Sequence, residues 1–155
     1  MLYAICSASA LIIYRPINDG YMNEIPCYIK VEDEEGNEIK LNRETVWYEW
    51  VEKPGYWYLY KKSFYLKGGM AIHIPFNPGR YKITVYTPKD KQFGVECANK
   101  REDWVSNEFV YDTNYPLNVI FVTPTSNENY FYNGGWVIDN RAPKFFIYTR
   151  PKITS

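Results

Sequence analysis

The sequence predicts an all-β fold: a single two-sheet β-sandwich of about ten short, mostly antiparallel strands. Three observations lead there. Apolar residues alternate with polar ones at period 2 along most of the chain, and no stretch carries the 3.6-residue period of an amphipathic helix. Turn signals built on Gly, Pro and Asn recur about every 8–12 residues. Aromatic residues, which suit strands, reach 19% of the chain, with 5 Trp, 16 Tyr and 8 Phe.

With 155 residues, of which 46% are hydrophobic, the chain is sized for one domain with a substantial core. Lys plus Arg equals Asp plus Glu at 18 each, so no net field favours nucleic acid or an anionic membrane surface. The domain is expected to run over 1–155, with an extra N-terminal strand segment in 1–25 and C-terminal strands in 104–150.

Taken in order, Ala8 to Tyr14 is an apolar run too short to span a bilayer and without a basic leader, so it reads as a strand. Tyr28 to Val31 and Ile39 to Leu41 flank the acidic stretch Glu32 to Asn37, whose Gly36-Asn37 makes a hairpin turn. Trp47 to Val51 and Tyr56 to Tyr60 flank Lys53-Pro54-Gly55, a second hairpin. Met70, Ile72 and Ile74 share one strand face. After Asn77-Pro78-Gly79, the residues Tyr81, Ile83 and Val85 share another. Pro88 to Asp103 is a polar interval for a loop or one helical turn. Leu117 to Val122 is nearly all apolar and reads as a central strand. Tyr130 to Ile138, turning at Asn133-Gly134, is a tight hairpin, and Phe145 to Tyr148 closes the pattern.

Within 28–88 two pieces carry a family resemblance: Val31 to Ile39, with its acidic-Gly turn, and Phe76 to Val85, with its Pro-Gly-x-Tyr turn. They resemble the transthyretin-like sandwich modules, which include the carboxypeptidase-regulatory-like and CnaB-type domains of exported proteins. The resemblance implies a transthyretin-like or Ig-like sandwich in an extracytoplasmic setting (periplasm or cell surface), acting in adhesion, as a spacer or as an accessory domain. No signal peptide is expected within 1–155. From the CnaB members it also implies an intramolecular isopeptide bond, with Lys30 as the reactive amine and Asn118 or Asn140 as acceptor. Glu49 or Glu96 would be the buried acid. Alternation opposes this, because Ile29 and Val31 face inward and turn Lys30 outward.

Enzyme chemistry finds no constellation. The single histidine, His73, has no nucleophile elbow or oxyanion loop beside it, and scattered carboxylates define no cleft. No cofactor or metal is called for: Asp33, Glu35 and Asn37 alternate like calcium ligands but lack a distal Glu, and read as a solvated hairpin tip. Cys6, Cys27 and Cys97 form no metal or redox motif, leaving three thiols or one disulfide and a thiol.

The most informative feature is the aromatic hairpin. Tyr56, Tyr58 and Tyr60 lie on one face of it and Trp57 on the other. Trp50 and Trp47 lie on opposite faces in the same way. A sandwich buries one face of a sheet, so one set of rings is expected at the surface unless another segment covers it. The expected function is a non-enzymatic binding module that recognises glycan or protein through Trp47, Trp50, Tyr56, Trp57, Tyr58 and Tyr60. Tyr130, Tyr132 and Trp136 of the later hairpin would assist. The competing reading is a structural spacer or assembly subunit that uses the same face for domain packing or homo-oligomerisation. Neither nucleic acid nor membrane insertion enters either reading.

Overall fold

The computed structural model describes residues 9–17, 21–41, 48–51, 56–59, 65–92, 102–125 and 135–141, with 21, 22, 48–51 and 56–59 described by backbone alone. These residues are nearly all strand: β1 Ser9–Arg15, β2 Cys27–Glu32, β3 Glu38–Ile39, β4 Tyr48–Val51, β5 Tyr56–Leu59 and β6 Tyr65–Leu66 come first. β7 Met70–Phe76, β8 Arg80–Thr87, β9 Trp104–Val105, β10 Phe109–Asp112, β11 Val119–Pro124 and β12 Trp136–Asp139 follow. Two short 3-10 turns, Tyr21–Glu24 and Lys89–Lys91, are the helical content among them. No helix among the described residues is long and apolar enough to cross a membrane.

The strands form two sheets. The first has the order β12-β11-β1-β7-β4-β5. In the second, β8 and β2 pair at the centre, and each outer edge is assembled from two short strands. β10 and β9 pair with successive parts of β8, and β3 and β6 with successive parts of β2. Among the described residues the strand–strand pairings are antiparallel except β1 with β11, and an isolated parallel bridge joins Ser106 to Trp136.

Alternation explains which side chains enter the core. In β2 the residues Cys27, Ile29 and Val31 are buried between partly exposed neighbours, and in β8 Ile83, Val85 and Thr87 are. From the first sheet Leu11, Ile13, Ile72, Ile74, Ile120, Val122 and Ile138 meet them in one cluster that draws on both sheets. The two sheets are also joined by a 2.6 Å hydrogen bond between the hydroxyls of Ser9 on β1 and Tyr111 on β10.

The N-terminal strand is no addition to a finished module. β1 lies between β7 and β11, and its last five residues are all buried. A strand covered on both faces reads as an unbroken apolar run, as Leu11 to Tyr14 does. Leu11 and Ile13 face the core, whereas Ile12 and Tyr14 join Ala71 and Phe121 in a second cluster on the opposite face.

The turn at Asn77–Gly79 also does something alternation does not reveal. It carries the chain from β7 in the first sheet to β8 in the second. Gly79 sits at φ +152°, its N–H donates to the Thr113 hydroxyl, and its carbonyl accepts from the Thr113 N–H. The acidic hairpin forms as expected, with Val31 opposite Ile39. Gly36 takes φ +84° there, a conformation that costs other residues about 1–2 kcal/mol. The Asp33 carboxylate accepts from the N–H groups of Glu35 and Asn37 and from the Asn37 amide, so its oxygens cap this turn.

Candidate functional site

The aromatic hairpin exists as a backbone element. β4 and β5 pair with Trp50 opposite Trp57 and Glu49 opposite Tyr58, at one edge of the first sheet. β4 also pairs with β7, which sets Trp50 opposite Ala71 and Glu49 opposite Ile72. Directly opposed residues share a sheet face. Positions 50 and 57 therefore belong to the face of Ala71, Tyr14 and Phe121, and positions 49, 51, 56 and 58 to the face that carries Ile72. Trp47, Tyr60, Tyr130 and Tyr132 lie outside the described residues, as do Cys6, Cys97, Glu96 and Phe145 to Tyr148.

Trp136 is a correction. It is expected at a recognition surface, yet it is 2% exposed and belongs to the core. Residues 136–139 pair with β11, Trp136 opposite Pro124, and its indole N–H donates to the Thr87 hydroxyl at 2.8 Å. The Arg15 guanidinium lies 4.3 Å from its ring centre, and Trp104 meets it edge-on at 6.5 Å. An indole held by a buried donor–acceptor pair and a buried cation serves packing.

Arg15 itself escaped the sequence reading. It occupies an inward position at the end of β1 and is 2% exposed. One guanidinium nitrogen donates to the carbonyls of Ile25 and Leu66 and approaches the Cys27 sulfur at 3.9 Å. Burial lowers the Arg15 pKa and raises that of the Cys27 thiol, a free and fully buried cysteine that donates to the Leu66 carbonyl. The Thr87 hydroxyl donates to the Pro26 carbonyl, and the Gln92 amide donates to the carbonyls of Thr87 and Glu102. This cluster ties β1, β2, β6, β8 and β12 together at one end of the core.

The isopeptide pair is not assembled. Lys30 is 44% exposed on the outer face of the second sheet, 4.0 Å from the Glu32 carboxylate. Asn118 is exposed before β11 of the first sheet, where its carbonyl accepts from the Ile12 N–H. The reaction needs a desolvated amine, and Lys30 is solvated because its neighbours Ile29 and Val31 take the inward positions.

A surface that does present aromatic rings lies on the outer face of the second sheet. Tyr28 on β2 is opposite Tyr86 on β8 and opposite Tyr65 on β6, so three rings form a row across three adjacent strands. Tyr28 and Tyr86 are near parallel, with centres 5.8 Å apart and planes at 28°. Tyr65 meets Tyr28 edge-on at 5.7 Å. All three are partly exposed. Val105, opposite Tyr86, extends the row and is 57% exposed.

Charges flank the row. Lys67 lies over the Tyr65 ring at 5.9 Å and is paired with Glu24 at 3.8 Å. Burial first, then the charges of Glu38, Tyr28 and Asp103, raise the Tyr86 pKa. Along the strands from the row, Lys30 stands opposite Thr84, and Glu32 opposite Lys82. The face ends in an open cavity of about 310 Å³ lined by Glu32, Asp33, Arg80, Tyr81, Lys82 and Val110, among others. The cations there are already paired, Lys82 with Glu108 at 3.6 Å and Arg80 with Asp112 at 3.8 Å.

The signal for this row was present in the sequence. Ile29 and Val31 inward place Tyr28 outward, and Ile83 and Val85 inward place Tyr86 outward. The pairing of β2 with β8, which brings the two rings together, was not. No group of three or more His, Cys, Asp or Glu among the described residues is placed to hold a metal ion. Comparison of the chain with protein-family models, with curated proteins and with solved structures finds no match in any of the three.

Proposed function

We propose that this protein is a non-enzymatic binding module of an exported or surface-displayed protein, built as a transthyretin-like or Ig-like sandwich, and that it recognises a protein partner. The observation that carries this reading is the tyrosine row on the outer face of the second sheet, extended by exposed Val105. Partly exposed tyrosines give large contact area at small side-chain entropy cost and keep a hydroxyl for the wet rim. Protein is favoured over glycan because the rings touch one another. A sugar stacks on a free ring face, whereas Tyr28 has Tyr86 against one side and Tyr65 against the other. The sandwich part rests on the shared core cluster and on the resemblance of 28–88. The extracytoplasmic setting rests on that resemblance.

The test is a display library of extracellular protein fragments probed with the wild-type chain and with a Tyr28→Ala/Tyr86→Ala variant of verified fold. The reading expects fragments that bind the wild type and lose at least tenfold in affinity for the variant, since two central aromatic truncations of about 1–2 kcal/mol each are involved. Equal binding by both proteins, or ligands found on a glycan array instead, would count against it.

Assembly through the same face is the second reading, favoured by Val105, an apolar side chain 57% exposed at the end of the row that a second copy would cover. Sedimentation equilibrium separates the two: a dimer that the double variant abolishes supports assembly, and a monomer leaves the face to a different protein.

A further inference from the structure

We infer that the tyrosine row is an oxidative cross-linking site, in which Tyr28 couples to Tyr86 as an intramolecular dityrosine when the protein meets a peroxidase and hydrogen peroxide. The inference goes beyond binding and stands independently of it, because it uses the ring geometry alone. Three properties set this pair apart from the other tyrosines whose side chains are described. First, register holds it: β2 and β8 pair over five successive residues from Tyr28–Tyr86 to Glu32–Lys82, so the two backbones are fixed neighbours. Second, the two rings are immediate neighbours, with centres 5.8 Å apart and planes at 28°, so a small rotation of either side chain brings the carbons ortho to the hydroxyls together. Third, both rings lie on a solvent-facing sheet surface, where a macromolecular oxidant reaches them. Tyr111 shows the contrast: it is fully buried, and its hydroxyl is taken by Ser9.

The chemistry balances with one molecule of peroxide. Each phenol loses one electron and one proton, and hydrogen peroxide takes both pairs and becomes two molecules of water. The two phenoxyl radicals join through a carbon ortho to each hydroxyl. The hydrogen on each joined carbon then moves to the phenol oxygen, restoring both aromatic rings. The protein has lost two hydrogens and gained one carbon–carbon bond.

Coupling within the chain is favoured because the second ring is already in place. Held neighbours react as though at an effective concentration of ~10⁵ M or more when well oriented, far above any concentration of a second molecule. Tyr65 competes as a partner for Tyr28. It is edge-on and belongs to the two-residue strand β6, so it is held by less pairing and forms the minor product. Tyr28 is common to both products. The bond would tie the centre of the second sheet together covalently on its exposed side.

The experiment oxidises the full chain at low micromolar concentration with a peroxidase and one equivalent of hydrogen peroxide, then maps peptides by mass spectrometry. The expected result is a monomer lighter by two hydrogens, with the peptide containing Tyr28 joined mainly to the one containing Tyr86. Tyr28→Phe removes the cross-link, and Tyr86→Phe shifts what remains to Tyr65. Oxidation in denaturing urea provides the second measurement, and there the linkage scatters over other tyrosines. Cross-links that avoid Tyr28 in the native chain, coupling only between molecules, or the same map with and without urea would each overturn the inference. Loss of the binding face as a recognition surface would leave this result unchanged, and loss of the cross-link would leave binding unchanged.

Discussion

At the scale of single residues, Arg15 carries the largest electrostatic burden in the described core. Its guanidinium reaches two backbone carbonyls on segments far apart in sequence and stacks on Trp136, an interaction worth about 2 kcal/mol when desolvated. Truncation by Arg15→Ala leaves the Ile25 and Leu66 carbonyls without this donor and opens space against the indole. The expected loss is about 3–5 kcal/mol in urea denaturation, at the level of breaking a buried charged network. Trp136→Phe removes only the indole donor to Thr87 and a little volume, and should cost about 1–2 kcal/mol by the same measurement.

His73 supplies a pH signature at this same scale. Burial alone depresses its pKa below the ordinary value of 6.5. The folded state therefore binds the proton less readily than the unfolded chain. Stability is complete above pH 6.5 and falls as the pH drops from there towards the depressed folded value. A series of urea midpoints over this window should show the decline in the wild type and a flatter profile in His73→Gln.

At the scale of elements, the acidic hairpin and the aromatic hairpin teach different lessons. β2, the turn and β3 are local and were legible as a hairpin: alternating Ile29 and Val31, then an acidic turn with Gly36, which the structure places at φ +84°. Gly36→Ala meets no atom within 4 Å, so its cost is the backbone conformation alone. The expectation is about 1–2 kcal/mol in thermal or urea unfolding, with the second sheet otherwise intact. The β4–β5 hairpin was equally legible as a hairpin. Which sheet it joins was not, because that depends on β7, a strand some twenty residues later. β7 and β8 show the same limit. Their inward residues and the intervening turn follow from sequence, yet the turn passes between sheets instead of closing a hairpin. Local chemistry reverses a chain equally well in either arrangement.

At the scale of the whole molecule, the candidate site arises from assembly. Tyr28, Tyr65 and Tyr86 lie 37 and 21 residues apart along the chain and become one surface only through β2. For the isopeptide idea, Lys30 lies on β2 of the second sheet, whereas Asn118 precedes β11 and Asn140 follows β12 of the first. Intact mass spectrometry is therefore expected to return the mass of the unmodified chain with no ammonia lost.

The division between sequence and tertiary structure follows the reach of the side-chain pattern. A period of 2 decides which residues of a strand share a face, and Gly, Pro and Asp decide where the chain turns. The all-β class, most strands and the inward residues of β2, β7 and β8 were therefore determined by the sequence alone. Parity says nothing of which strand becomes the neighbour. The central place of β1, the β2–β8 pairing, the buried Arg15–Trp136 contact and the tyrosine row were decided only by the tertiary structure. The physical reason is that strand order is selected by apolar burial summed over both sheets at once, a quantity that no local window of the chain contains.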